Sequence, residues 1–214
     1  MLISHKHRFI FIHIYKTAGS SVRTALRPFI FYSELQLPIL RMFRRIGIRP
    51  PLILNPMPFE DSHNSAAEAV KVIGQKVFDK YFSFAFVRNP WDWQVSYYNF
   101  HVKWTPRTPN PWIDQIKSFP DFTAYIRWRC ANPELQKDFI YSADEKLLVN
   151  FVGRYENINE DFQTICNRIG IRAELPMANV SKTKPYQEYY APETVELVRK
   201  TFAADIRLFG YDFE

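Results

Sequence analysis

Two segments, far apart in the chain, constrain the fold most. The first runs Arg8-Phe9-Ile10-Phe11-Ile12-His13-Ile14-Tyr15-Lys16-Thr17-Ala18-Gly19-Ser20-Ser21. The second runs Phe84-Ala85-Phe86-Val87-Arg88-Asn89-Pro90-Trp91 and continues to Ser96-Tyr97-Tyr98. Each reads as a strand that breaks into a turn and then opens a helix. The strand residues are apolar without alternation, and Phe and Ile dominate. That pattern belongs to a strand buried on both faces, as in a parallel sheet flanked by helices. Each turn carries a cation and hydroxyls. Two such turns side by side on a parallel sheet make sites for two separate phosphate groups.

In the first turn, Lys16 to Ser21 supplies small, hydroxylated residues. Gly19 allows close backbone approach, and Ser20 or Ser21 is placed to cap the helix that follows. Val22 to Leu26 resumes helical spacing, and Pro28 ends it. A helix N-terminus offers backbone N–H groups and the positive end of the dipole, so it suits phosphate. Lys16 adds a point charge at the mouth of the turn. The nucleotide triphosphate P-loop, Gly-x-x-x-x-Gly-Lys-Ser/Thr, does not fit, because the lysine comes first and the glycine after it. That order argues against a nucleoside kinase.

In the second segment, Tyr81 to Val87 forms the strand. Arg88 falls at its carboxyl end, where open α/β sheets place their ligands. Pro90 suits the first position of a helix running through Trp91, Val95 and Tyr98. Ser96 lies two turns into that helix, where its hydroxyl can share an anion with Arg88.

These residues resemble the sulfotransferases, most closely the carbohydrate sulfotransferases of Golgi and bacterial type. In that family a Pro-Lys-x-x-Gly-[Ser/Thr]-[Ser/Thr] turn grips the 5′-phosphosulfate of PAPS (3′-phosphoadenosine 5′-phosphosulfate). A Val-Arg-Asn-Pro turn, with a serine eight residues after the arginine, grips the 3′-phosphate. Lys16, Thr17, Ala18, Gly19, Ser20 and Ser21 match the first motif, with Tyr15 in place of the proline. Arg88 and Ser96 match the second. Arg154-Tyr155-Glu156-Asn157-Ile158 with Asp161-Phe162 resembles a later family segment. Asn179-Val180-Ser181-Lys182 with Tyr189-Tyr190 resembles the loop that covers the nucleotide, and Asp205-Ile206 with Phe209-Gly210-Tyr211 the C-terminal signature. The resemblance implies a P-loop-like three-layer α/β sandwich with a central parallel sheet. It also implies PAPS as donor, PAP as product and a hydroxylated acceptor, most naturally a glycan. Ser181 and Lys182, with Lys184 nearby, would cover the nucleotide.

Sulfuryl transfer also needs a base for the acceptor proton. His5 and His7 precede the first strand and read as exposed, His13 falls inside it, and His101 is peripheral. His63 stands just before a helix, in Glu60-Asp61-Ser62-His63-Asn64-Ser65-Ala66. Several carbohydrate sulfotransferases carry a catalytic histidine in a similar position. Histidine titrates near working pH and serves as a general base. Glu60 and Asp61 are the alternatives. Lys16 is the second catalytic candidate, bridging the 5′-phosphate and the transferring sulfate. No carboxylate cluster suggests a metal. The rival to an enzyme is a non-catalytic module of the same fold that binds PAP or a polyanion.

A chain of 214 residues suits one α/β domain, here residues 1–214. The 47% hydrophobic and 17% aromatic content give it a core and exclude disorder. Its net charge of +6 and pI near 9.3 fit an anionic cofactor. No zinc-finger, helix-turn-helix or RNA-binding signature accompanies the charge, so nucleic acid is not expected. Cys130 and Cys166 lack metal spacing and read as reduced thiols. No apolar run is long enough for a membrane span. The chain opens almost at the first strand, whereas the Golgi enzymes carry an anchor and stem, so either a cytoplasmic enzyme of bacterial or viral type or a piece trimmed from a longer chain is expected. Further helices are predicted over Ser33–Arg45, Ser65–Gln75, Phe119–Arg129, Pro133–Phe139, Asn159–Ile169 and Pro192–Leu208, with one or two strands in Lys146–Arg154.

Overall fold

Four strands form one sheet: β1 (Leu2–Ser4), β2 (Phe9–Ile12), β3 (Phe82–Val87) and β4 (Phe151–Arg154), in that spatial order. The structure, a computed structural model, describes residues 1–30, 42–43, 45–47, 63–106, 108–176 and 184–214. The predicted helix from Ser33 to Arg45 lies almost wholly outside these residues. The pairs β2–β3 and β3–β4 are parallel, with Ile12 opposite Ala85 and Val87 opposite Arg154. All four residues of β2 are fully buried, as expected for a strand covered on both faces. The expected α/β class with a central, mostly parallel sheet flanked by helices is what the chain adopts.

The sequence reading missed β1. It pairs antiparallel with β2, Leu2 opposite Phe11 and Ser4 opposite Phe9. His5 and His7 therefore sit in a hairpin turn. His5 is half-buried, with Nδ1 and the Tyr81 hydroxyl hydrogen-bonded at 2.8 Å. The hairpin escaped notice because its strand is only three residues long and its turn has no Asn-Gly or Gly-Gly signal.

The fold divides into two compact units, residues 1–87 with 138–179, and residues 88–137 with 180–214. The first holds the whole sheet with α1 (Gly19–Leu26), α2 (Ala66–Ile73), α3 (Gln75–Phe78) and α7 (Ile158–Ile169). Its core joins Phe9, Phe11, Phe84 and Phe86 of the sheet to Val22 and Leu26 of α1 and to Phe162 and Ile165 of α7. Helix α2 opens with a capping box in which Ser65 and Glu68 serve each other's backbone N–H groups. Helix α7 stops as predicted at Gly170, which is left-handed.

The second unit contains α4 (Pro90–Lys103), α5 (Pro111–Ser118), α6 (Phe122–Ala131), α8 (Pro192–Thr201) and α9 (Ala203–Phe209). Trp91, Trp93, Tyr125 and Arg129 are buried in it. The predicted Pro192–Leu208 helix is two helices. Phe202 breaks it at φ −101° and ψ 23°, and its ring is buried with that of Trp93 at 6.4 Å between centroids. The new start lets α9 place Asp205 wholly inside the unit. The predicted Pro133–Phe139 helix shrinks to a 3-10 turn, Gln136–Phe139.

Candidate active site

Strand β2 leads into the first motif and strand β3 into the second. Strands β2 and β3 run the same way, so the chain leaves β2 toward Lys16 and leaves β3 at Val87, one residue before Arg88. The Lys16 turn belongs to the first unit, and Arg88 and Ser96 to the second.

The turn is tighter than its sequence suggests. Lys16 and Ala18 both have positive φ, 62° and 60°, conformations that non-glycine residues adopt at a cost of about 1–3 kcal/mol each. The buried Thr17 hydroxyl donates to the Ile14 carbonyl at 2.8 Å and closes the bend. Helix α1 therefore begins at Gly19, and Ala18 is its N-cap, with no side-chain hydrogen bond. The expected serine cap is not made, because Ser20 and Ser21 already lie inside the first helical turn. Ser20 is exposed, and Ser21 and Lys16 are half-buried. The first-turn N–H groups are not taken by a capping side chain, which suits an anion.

Gly19 has a second reason to be glycine. A Cβ there would lie 1.8 Å from Cδ2 and Nε2 of His13. The His13 ring thus fills the space over the start of α1. Burial, the largest cause, drives the His13 pKa down to about 2, with the Arg23 guanidinium adding to it, so its imidazole is neutral.

His63 stacks on this arrangement. Its ring lies 4.5 Å from His13 and edge-on to Tyr15 at 5.6 Å, between centroids. Tyr15, the departure from the family's proline, supplies one wall for the histidine and also meets Phe139. Nδ1 of His63 lies 3.1 Å from the carbonyl oxygen of His13. A carbonyl can only accept, so Nδ1 carries the proton and donates it. The neutral ring then bears its lone pair on Nε2, the state a general base requires. The structure thus brings His63 to the end of the strand that feeds the Lys16 turn. Glu60 and Asp61 lie outside the described residues.

In the second unit, Asn89 caps α4 by accepting from the Trp91 N–H at 3.1 Å, and its amide donates to the Asp212 carbonyl at 2.8 Å. Arg88 Nε donates to Asp92 at 2.7 Å. Arg88, Asp92 and Ser96 follow at intervals of four, so they share one side of the chain as it winds into α4. Asp92 was not foreseen. Its spacing from Arg88 was readable, but its effect on an arginine just ahead of the helix was not. Ser181 and Lys182 lie outside the described residues. Lys184 donates to the Glu188 carbonyl at 3.2 Å and sits 4.7 Å from the Tyr189 ring.

With this geometry in place, the comparisons identify the family. The model of the sulfotransferase family matches residues 1–212. The chain belongs to the sulfotransferase family, whose reaction is the transfer of a sulfuryl group. It is also 32% identical over 111 residues to an uncharacterized protein of Archaeoglobus fulgidus, a match that covers 48% of this chain and 79% of that protein. Among the described residues, no helix is long and apolar enough to cross a membrane.

Proposed function

We propose that residues 1–214 act as one sulfotransferase domain that moves a sulfuryl group from PAPS to a hydroxyl of a carbohydrate acceptor. The observation that carries this reading is the His63 tautomer. Its Nδ1–H is spent on the His13 carbonyl, and its Nε2 lone pair belongs to a ring packed against the strand end that leads into the Lys16 turn. The donor would supply the sulfuryl group and a phosphate leaving group. Nε2 of His63 takes the acceptor's hydroxyl proton as the oxygen attacks sulfur. The Lys16 ammonium offsets charge growing on the departing phosphate oxygen. Backbone and hydroxyl groups of Thr17, Ala18, Gly19, Ser20 and Ser21 hold the 5′ end, with the Thr17 hydroxyl kept for the bend itself. Arg88 and Ser96 take the 3′-phosphate, and Ser181 and Lys182 complete the nucleotide site. The proposed setting is cytoplasmic, in keeping with two free thiols, Cys130 and Cys166.

Two measurements test the proposal. Calorimetry should show PAP binding far more tightly than ADP, and Arg88→Ala should weaken PAP about tenfold or more, since a charge-assisted contact is worth roughly 1.5–3 kcal/mol. Equal affinity for PAP and ADP would remove the assignment of Arg88. Incubation with sulfur-labelled PAPS and a glycan panel should label an acceptor. Binding without transfer across glycan, steroid, phenol and lipid acceptors would instead mark a non-catalytic PAP-binding module.

A further inference from the structure

Arg88 does not hold its own place. The backbone N–H and C=O of Arg88 are both bonded by one side chain. The Gln136 amide oxygen accepts from Arg88 N–H at 2.8 Å, and the Gln136 amide nitrogen donates to the Arg88 carbonyl at 2.8 Å. A neighbouring strand would use its backbone in this way. Gln136 thus holds the Arg88 backbone as a paired strand would. It is fully buried.

Gln136 is fixed in turn by Asp205. One carboxylate oxygen accepts from the backbone N–H of Gln136 at 2.8 Å, the other from that of Lys137 at 2.9 Å. Asp205 is also fully buried. A carboxylate in the interior is stable only when its oxygens are satisfied, and here two backbone donors meet it. The resulting chain runs from Asp205 through Gln136 to the Arg88 backbone, and every link lies in the same unit.

We infer that Gln136 and Asp205 are positioning residues for the 3′-phosphate contact. This inference rests on the proposed role of Arg88. The Arg88 side chain leaves from a Cα whose two flanking peptides are both clamped, so its guanidinium meets a phosphate without first ordering its own backbone. Preorganisation of this kind raises affinity by lowering the ordering cost of binding. The pair acts through Arg88, so it should matter to a ligand that carries a 3′-phosphate and not to one that lacks it.

The test is the ratio of PAP to ADP affinity, measured by calorimetry on the whole chain in the parent, Gln136→Leu, Gln136→Glu and Asp205→Asn. Circular dichroism and thermal melting check that each variant is folded. Gln136→Leu removes both contacts. Gln136→Glu keeps the acceptor but sets a carboxylate against the Arg88 carbonyl. Asp205→Asn is the mildest change and loses one acceptor, so it remains informative if a Gln136 variant does not fold. The expected result is PAP binding weakened about five- to tenfold in the Gln136 variants and less in Asp205→Asn, with ADP affinity unchanged. Loss of PAP and ADP affinity together would mean a merely structural role and would overturn the inference. So would folded variants that keep the parent ratio. A parent that does not prefer PAP to ADP would overturn the donor assignment itself, and this inference with it.

Discussion

Alanine at position 19 should cost stability where helix propensity alone predicts a gain. Gly19 is the first residue of α1, and a Gly-to-Ala change inside a helix stabilises by up to about 1 kcal/mol. Here the added Cβ would stand 1.8 Å from two atoms of the His13 ring. Ordinary carbon contacts lie near 3.5 Å, so the ring would have to retreat by ~1.7 Å. It has no room to do so. His13 is 8% exposed, with Phe11 stacked at 5.7 Å and His63 at 4.5 Å. Overpacking of a filled site costs about 1–3 kcal/mol. A contact this deep belongs at the upper end, so the net loss should be ~2 kcal/mol after the propensity gain. In a chain of this size that is roughly 4–8 °C in Tm. Urea unfolding of the parent, Gly19→Ala, His13→Ala and the double variant measures it. The new methyl group fills part of the space vacated by the imidazole. The double variant should therefore be more stable than the two single losses predict, by ~1 kcal/mol or more. A Gly19→Ala protein as stable as the parent, or strictly additive losses, would show that the His13 ring does not occupy that space.

Much of this arrangement was legible in the sequence because it is local. The apolar run of Phe9–Ile12, the Lys16 to Ser21 turn, the Arg88-Asn89-Pro90 break and the Gly170 stop each express a preference of a few adjacent residues. What the sequence hid depends on contacts between distant residues. Gln136 precedes no motif, and nothing near it says that its amide will meet a peptide 48 positions away. Asp205 was visible as part of a C-terminal signature, but its buried role follows from the break at Phe202, which helical periodicity did not reveal. Gly19 signals close backbone approach in the sequence, but only the structure shows that what approaches is the chain's own His13. The serine cap failed for a related reason. The Thr17 bond to Ile14 and the positive φ of Lys16 and Ala18 turn the chain early, and propensity does not anticipate a strained bend. His63 was chosen partly from its place before α2. Its proton position came only from the carbonyl that its Nδ1 faces.

Lys16→Ala should lower turnover more than it lowers PAP affinity, because the proposed partner of its ammonium is charge that grows as the leaving oxygen departs. Equal losses in single-turnover rate and in binding would refute that role. His63→Ala should leave PAP binding nearly intact and cut transfer by roughly 10²–10⁴-fold. The parent's turnover should rise with pH on a limb that this variant lacks. Near-normal transfer in His63→Ala, with activity abolished by Glu60→Gln or Asp61→Asn, would make the base a carboxylate. The last prediction concerns acid stability. His13 has its pKa pulled down to about 2 by burial, while an unfolded histidine titrates near 6.5. Between those values the unfolded chain binds a proton that the folded chain refuses, so stability falls as pH falls. The His13 contribution is complete above pH ~6.5 and declines by about 1.4 kcal/mol for each pH unit below it, or ~2 kcal/mol by pH 5. Urea midpoints from pH 7.5 to 4.5 should therefore drop more steeply for the parent than for His13→Leu, which has no imidazole to protonate. Parallel slopes in the two proteins would mean that His13 is protonated in the native fold, and the neutral, packed ring assigned to it over Gly19 would be wrong.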